Sequence, residues 1–191
     1  MPTAKSFDSE AIRAAIERLA GAISERHRGP ASLLLLGIAN GGIELARRLT
    51  ARLSPLAPRL RAACGVLDIS FHRDDIARHP IPKEFAPTHI PADVDGAIVI
   101  LVDDVLFSGR TVKAALDELF DHGRPTKVEL AVLVDRGGRR LPFAPDYCGL
   151  QLAAADSEKV LVRLDPKEPS YDLIQIAPAG SPKSDIVNRK S

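Results

Sequence analysis

The residues best suited to chemistry lie in one stretch, Ala97–Thr111, with the sequence AIVILVDDVLFSGRT. Its apolar opening, Ala97–Leu101, predicts a strand buried on both faces of a parallel sheet. Asp103 and Asp104 follow, and Phe107–Thr111 leads into a helical pattern. Loop N–H groups at a helix N-terminus bind anions such as phosphate, whereas paired carboxylates suit sugar hydroxyls or a metal ion. The stretch therefore predicts a site for a phosphorylated sugar.

The whole string closely resembles the motif by which type I phosphoribosyltransferases bind phosphoribosyl pyrophosphate (PRPP). The simpler alternative, a buried strand whose acids cap the next helix, explains an Asp-Asp pair but not the full order of residue types. The resemblance implies that the two acids hold the ribose hydroxyls and that the loop binds the 5-phosphate. The implied PRPP-binding residues are Asp103, Asp104, Val105, Leu106, Phe107, Ser108, Gly109, Arg110 and Thr111.

A second candidate is the turn that follows the first apolar strand, Ser32–Leu36. In type I enzymes the matching loop offers backbone amides to pyrophosphate, often through an unusual cis peptide. The resemblance implies that Ala39, Asn40, Gly41 and Gly42 bind PRPP here. Taken alone, the glycine pair is equally typical of a plain turn that starts a helix.

Residues 71–95 show no periodic pattern and contain four prolines, Pro80, Pro82, Pro87 and Pro91. A long irregular insertion in a compact domain is typical of a lid or a disordered segment. We expect a flexible lid loop whose Arg73 reaches the pyrophosphate on closure and joins Asp103 and Asp104 as a catalytic residue.

The remaining pattern alternates strands with helices, which predicts right-handed βαβ units and a mostly parallel sheet. Because such sheets bind ligands at the carboxyl ends of their strands, the special turns are expected to converge on one cleft. The predicted elements are a helix from Asp8 or Ser9 to about Arg26, strand Ser32–Leu36, helix Ile43–Leu53 ended by Pro55 and Pro58, strand Ala63–Ser70, helix Val112–His122, strand Val128–Val134, and short strands Tyr147–Leu152, Lys159–Leu164 and Asp172–Ile176.

The fold class is therefore α/β, a three-layer, mostly parallel twisted sheet flanked by helices, with the lid loop and a small β-rich hood. We expect residues 1–176 to form a single phosphoribosyltransferase domain and residues 177–191 to form a loose C-terminal tail.

A further resemblance narrows the acceptor. The strings Leu130–Gly149 (LAVLVDRGGRRLPFAPDYCG) and Leu67–Asp75 (LDISFHRDD) look like signatures of the PyrR family, pyrimidine-operon attenuators that also have uracil phosphoribosyltransferase activity. The resemblance implies that Val134, Asp135 and Arg136 bind uracil and that UMP is the product. It also implies that Mg²⁺ binds together with PRPP, with Asp103 or Asp104 assisting and without a dedicated set of protein ligands.

Two departures from the family pattern bear on function. Ala39-Asn40-Gly41 replaces a basic, Lys-Thr-Arg-like turn and so removes two cationic contacts. The basic RNA face of the attenuators is matched by Arg18, Arg26 and Arg139, but Glu17 lies among them, and an acid weakens binding to RNA. The alternatives are thus a UMP-sensing attenuator of leader mRNA with weak or no catalysis, and a phosphoribosyltransferase for a purine or orotate, which the Leu130–Gly149 string disfavours.

Composition sets the outer bounds. With 191 residues and a formal net charge of +1, the chain is predicted to have no indiscriminate attraction to nucleic acid. Cys64 and Cys148 lack metal-binding spacing and are interpreted as reduced core residues of a cytoplasmic protein. No apolar run approaches membrane-spanning length. The resemblance implies a homodimer or homotetramer.

Overall fold

The first helix follows directly from its apolar stripe and its cap. The computed structural model of the protein describes residues 6–29, 31–70 and 87–180. Helix α1 covers Ser9–Arg26, and the Asp8 carboxylate accepts a hydrogen bond of 3.0 Å from the Ala11 N–H. Its buried side chains are Ile12, Ala15, Ile16, Leu19, Ala20 and Ile23, so the predicted stripe is confirmed.

Five parallel strands form the central sheet, in the order β3-β2-β4-β5-β6. Their bounds are β2 Ser32–Ile38, β3 Arg61–Leu67, β4 Ile98–Leu106, β5 Lys127–Asp135 and β6 Tyr147–Gln151. Successive side chains of a strand point to opposite faces. Accordingly Ile100 and Val102 of β4 pack with α1 and with α2 (Gly42–Leu56), whereas Val99 and Leu101 pack with α3 (Arg110–Asp121). The three-layer α/β prediction is confirmed.

A small antiparallel sheet lies outside the central one, with strands β1 (Ser6–Phe7), β8 (Leu173–Pro178) and β7 (Glu158–Arg163) in that order. We call this sheet together with residues 152–180 the hood. The predicted strands of the hood are present, and β8 continues to Pro178. Strand β1 was not predicted because two residues are too short to show a period.

Several predicted boundaries were wrong, and α3 begins at Arg110, two residues before its predicted start. Strand β4 continues through Asp103 and Asp104 to Leu106, so the acids lie within the strand. Strand β2 reaches Ile38. Pro55 does not end α2, because it lies in the last turn and the Ala57 N–H still bonds to the Leu53 carbonyl at 2.9 Å. Strand β3 ends at Leu67, since the Asp68 N–H turns to the Thr88 hydroxyl at 3.0 Å.

Glu129 of β5 is a buried acid that the sequence pattern did not single out. Its side chain is fully buried and bonds to His27 Nε2 at 2.9 Å, Tyr147 Oη at 2.7 Å and Lys127 Nζ at 2.6 Å. Burial raises the pKa of this carboxyl, but hydrogen bonds from Lys127, Tyr147 and His27 outweigh it and lower the pKa to about 2.

We therefore expect Glu129→Gln to reduce the free energy of unfolding by about 3 kcal/mol at pH 7. A depressed folded-state pKa gives stability that is complete above the unfolded value near 4.5 and is lost as pH falls towards 2. Urea denaturation between pH 7 and pH 3 should show the gap from wild type narrowing. Glu25→Gln, which removes an exposed ion pair with Arg28, is the control and should show no comparable gap. A difference in unfolding free energy between Glu129→Gln and wild type that stays constant from pH 7 to pH 3 would contradict the lowered pKa of Glu129.

Candidate active site

The phosphate loop, Phe107–Thr111, follows β4 and includes the first two residues of α3, Arg110 and Thr111. Gly109, the residue before α3, has φ of 91°, and a Cβ there would lie 2.9 Å from Phe143 Cδ2. This position therefore requires glycine. The Ser108 carbonyl accepts hydrogen bonds from the Arg140 N–H at 3.0 Å and the Leu141 N–H at 2.9 Å. Residues 140 and 141 thus hold the loop in place. The first-turn N–H groups of α3 have no acceptor within the helix, and such groups are suited to binding an anion.

The pyrophosphate turn, Ala39–Gly42, lies against the acid-bearing end of β4. The peptide bond between Ala39 and Asn40 is cis, as the resemblance implies. A Cβ on Gly41 would lie 2.5 Å from Asp104 Oδ1, and one on Gly42 would lie 2.8 Å from the Val102 carbonyl carbon. The structure therefore brings the two predicted PRPP-binding segments into direct contact at the carboxyl edge of the sheet.

The two acids differ in exposure. Asp103 is buried, with 6% of its surface exposed, and its Oδ1 accepts a hydrogen bond of 2.9 Å from the Asp104 N–H. Asp104 is half-buried beside Gly41. Asp103 thus fixes the backbone of its neighbour, and the Asp104 carboxylate lies between the strand and the turn.

The predicted base-binding residues lie at the end of β5. Val134 is buried and pairs with Val105 and Leu150 in the sheet. Asp135 accepts a hydrogen bond of 2.9 Å from the Gly137 N–H and pairs with Arg139 at 2.6 Å. The Asp135 carboxylate therefore shapes the turn after β5.

Arg136 connects three parts of the site. It is 6% exposed, and it donates to the backbone carbonyls of Glu158 at 2.8 Å and Ala155 at 2.9 Å in the hood. Its guanidinium lies over the Phe107 ring, 4.2 Å from the centroid. Sequence reasoning assigned Arg136 to the base pocket but missed this contact with the phosphate loop, because no local pattern links an arginine to a phenylalanine in a distant loop.

The predicted RNA-binding arginines lie in two places. Arg18 donates to the Gly149 carbonyl at 2.9 Å, and Arg26 pairs with Asp146 at 3.0 Å, so both lie on α1 beside β6. Arg139 instead donates to the Phe107 carbonyl at 2.8 Å and to the Phe143 carbonyl at 2.9 Å. Arg139 therefore belongs to the support of the phosphate loop.

The predicted lid is described only from residue 87 onward, and Arg73 lies outside the described residues. At the described end, His89 forms an antiparallel bridge with Val66, with hydrogen bonds of 2.8 and 2.9 Å. The Thr88 hydroxyl donates to Glu118 of α3 at 2.8 Å. These contacts attach the lid segment to β3 and α3.

Within residues 6–29, 31–70 and 87–180, no group of three or more His, Cys, Asp or Glu side chains could hold a metal ion. The same ranges contain no helix with the length and apolarity needed to cross a membrane.

Comparisons with known proteins agree with this geometry. Residues 5–166 match the family model described as phosphoribosyl transferase domain. The bifunctional protein PyrR of Streptomyces coelicolor is 50% identical over 154 residues, covering 80% of this chain and 79% of the relative. That of Deinococcus radiodurans is 45% identical over 178 residues, covering 92% and 94%.

Solved structures show the same fold. A hypoxanthine-guanine phosphoribosyltransferase from Bacillus anthracis aligns with a TM-score of 0.64 at 17% identity, covering 91% of this chain and 99% of that one. The hypoxanthine phosphoribosyltransferase of Trypanosoma cruzi aligns with a TM-score of 0.63 at 19% identity, covering 90% and 95%. At these identities the likeness concerns the fold alone.

Proposed function

The chain belongs to the PyrR family of phosphoribosyltransferases, and on that premise we propose that it converts uracil and PRPP to UMP and pyrophosphate. The observation that carries the proposal is the contact between Gly41 of the pyrophosphate turn and Asp104 of β4, next to the phosphate loop. A ligand that carries a ribose between two phosphate groups matches this arrangement, because each group meets its own set of donors or acceptors.

Each segment then has a defined role in the transfer. The N–H groups of Ser108–Thr111 bind the 5-phosphate, and the Ala39–Gly42 amides bind the pyrophosphate. Asp103 and Asp104 accept hydrogen bonds from the ribose hydroxyls and stabilise the positive charge that develops on the sugar as the pyrophosphate leaves. The chain thus contributes mainly positioning and electrostatic stabilisation.

The acid pair also fits the Mg²⁺ that PRPP chemistry implies. Magnesium is usually held by one or two carboxylates together with substrate oxygens, and the Asp104 carboxylate lies beside the pyrophosphate turn, with Asp103 next to it in β4. Bound with PRPP, the ion would neutralise charge on the leaving group. Arg73 is proposed to add a cationic contact from the lid.

The acceptor pocket is proposed at the end of β5. The backbone around Val134, Asp135 and Arg136 would read the amide edges of uracil, and Arg136 holds the hood and Phe107 in place around it. We expect Arg136→Met to raise the KM for uracil about tenfold, because the hood carbonyls lose their donor, with little change in the KM for PRPP.

Steady-state kinetics with each substrate varied in turn checks this expectation. Arg140→Met is the matched control, since Arg140 lies in the same turn and is exposed. Equal increases in both KM values for Arg136→Met would place Arg136 outside base recognition.

The proposed function itself is tested by incubating the protein with uracil, PRPP and Mg²⁺ and measuring UMP and pyrophosphate. Hypoxanthine, guanine and orotate are run in parallel. Absence of turnover with uracil together with absence of PRPP binding would refute the proposal, and turnover of another base would reassign the acceptor.

A second function, regulation of pyrimidine genes, is favoured by the word bifunctional in the names of the relatives. We propose that Arg18 and Arg26 on α1 contact a leader mRNA in the cytoplasm and that UMP strengthens this binding. The protein would act as a homodimer or homotetramer. Binding to a stem-loop that weakens with salt, strengthens with UMP and is lost in Arg18→Ala would support this role. Weak binding regardless of RNA sequence would refute it.

A further inference from the structure

Arg48 is a half-buried arginine in the middle of α2, the helix that begins at the pyrophosphate turn. Its side chain is 16% exposed and bonds to Glu44, one turn earlier in the same helix, at 2.8 Å. Its two terminal nitrogens both reach Asp172 of the hood, and Nη2 donates to the Asp165 carbonyl at 2.6 Å. Both terminal nitrogens of the planar guanidinium thus join α2 to one loop of the hood, and Nε is held by the helix itself.

The hood side of this contact is equally ordered. Asp172 is buried, with 4% of its surface exposed, and its Oδ1 also accepts a hydrogen bond of 2.8 Å from the Asp165 N–H. Asp165 in turn accepts from the N–H groups of Lys167 and Glu168 at 3.0 Å each. Two carboxylates therefore organise residues 165–172, and Arg48 attaches that loop to α2.

Beyond this loop the contacts continue to the base pocket. Asp172 precedes β8, β8 pairs with β7 along its length, and the first residue of β7, Glu158, accepts the hydrogen bond from Arg136. Arg136 lies over Phe107 of the phosphate loop. A continuous series of contacts thus runs from the pyrophosphate turn through α2 and the hood to the end of β5.

We propose that Arg48 is a positioning residue that sets the hood relative to the pyrophosphate turn and so determines how tightly the base is held. The inference rests on the proposed function, in which the hood closes the uracil pocket. A buried ion pair is a poor source of net stability, because desolvation offsets the attraction, whereas its bidentate geometry fixes orientation. Arg48 touches neither the acids nor the loops assigned to PRPP, so it acts through the hood.

The test compares affinity for UMP with affinity for ribose 5-phosphate, which lacks the base. Titration calorimetry gives both dissociation constants without requiring turnover. The dissociation constant for ribose 5-phosphate divided by that for UMP measures what the base adds to binding. We expect Arg48→Met to lower this ratio about tenfold and to leave affinity for ribose 5-phosphate within about twofold of wild type.

Because Arg48→Met leaves Asp172 buried and unpaired, its melting temperature should fall by about 10 °C. The double variant Arg48→Met with Asp172→Asn removes that charge and keeps an acceptor for the Asp165 N–H. It should recover most of the melting temperature while the base contribution stays low. Arg48→Lys should restore part of the base contribution.

Arg52→Met is the matched control. Arg52 lies on α2 like Arg48, and the substitution removes an exposed ion pair with Glu17 of α1. This variant should change neither the ratio of the two dissociation constants nor the melting temperature. A base contribution that recovers together with the melting temperature in the double variant would overturn the inference, as would a wild-type protein with no base contribution. Failure of the proposed function can be told apart from failure of this inference, because it would show as absent uracil turnover in the wild-type protein.

Discussion

Asp104→Asn is expected to lower kcat/KM for PRPP about a thousandfold while the fold stays intact. The substitution keeps the shape of the side chain and removes its charge. The Asp104 backbone N–H keeps its hydrogen bond of 2.9 Å to Asp103 Oδ1, so the strand is undisturbed. What is lost is the carboxylate beside Gly41, where we place the ribose hydroxyls, the metal and the developing positive charge.

Measurement of kcat/KM at saturating uracil and Mg²⁺, together with a thermal melt, separates chemistry from stability. Asp117→Asn serves as the control, because Asp117 is a partly exposed acid on α3 that pairs with Lys113. Turnover within about tenfold of wild type in Asp104→Asn would assign the critical carboxylate to Asp103 alone.

The sequence predicted that the acids and the glycine turn meet at one edge of the sheet better than it predicted where the strands end. The apolar run before Asp103 indicated a buried parallel strand, and parallel topology alone placed the acids and the glycine turn at one edge. The end of β4 was misplaced because paired acids resemble the end of a buried strand. Here they remain in the ladder, with Asp103 opposite Val132 and Leu106 opposite Asp135. A strand end that lines a cleft can carry polar residues without leaving the sheet.

Contacts between distant segments could not be predicted, because no local period encodes them. Glu129 lies in a mostly apolar strand, and its partners His27 and Tyr147 come from the end of α1 and from β6. The partner of Arg48 is Asp172, which sequence patterning predicted only as the start of a short strand, with nothing to link it to α2. In both cases a charged residue type was visible in the sequence while its partner was not.

The structure also changes the interpretation of the basic residues. Arg136, Arg139 and Arg48 could each be taken from sequence as a ligand-binding cation. Their donors instead go mainly to backbone carbonyls and buried acids of the chain itself. This use of arginine fits the proposed function, in which backbone N–H groups bind the pyrophosphate, since Ala39–Gly42 carries no cationic side chain.

Gly41→Ala tests the contact between the pyrophosphate turn and Asp104 directly. We expect it to lower kcat about a hundredfold with little loss of stability. Gly41 has φ of −65° and ψ of −37°, values that alanine adopts freely. The new Cβ would lie 2.5 Å from Asp104 Oδ1, so the carboxylate must move away from the turn. Because a side-chain end can move at small cost, the effect should fall on turnover and not on folding.

Two other glycines supply the comparison. Gly42→Ala places its Cβ 2.8 Å from the Val102 carbonyl carbon, which is backbone, so the free energy of unfolding should fall by about 3 kcal/mol. Gly21→Ala, in α1 with nothing within 4 Å, should stabilise by about 1 kcal/mol and leave turnover unchanged. Urea denaturation and steady-state kinetics on the three variants separate these effects. Near-normal turnover in Gly41→Ala would show that the Asp104 carboxylate can leave the turn without consequence, and would remove the contact from the mechanism.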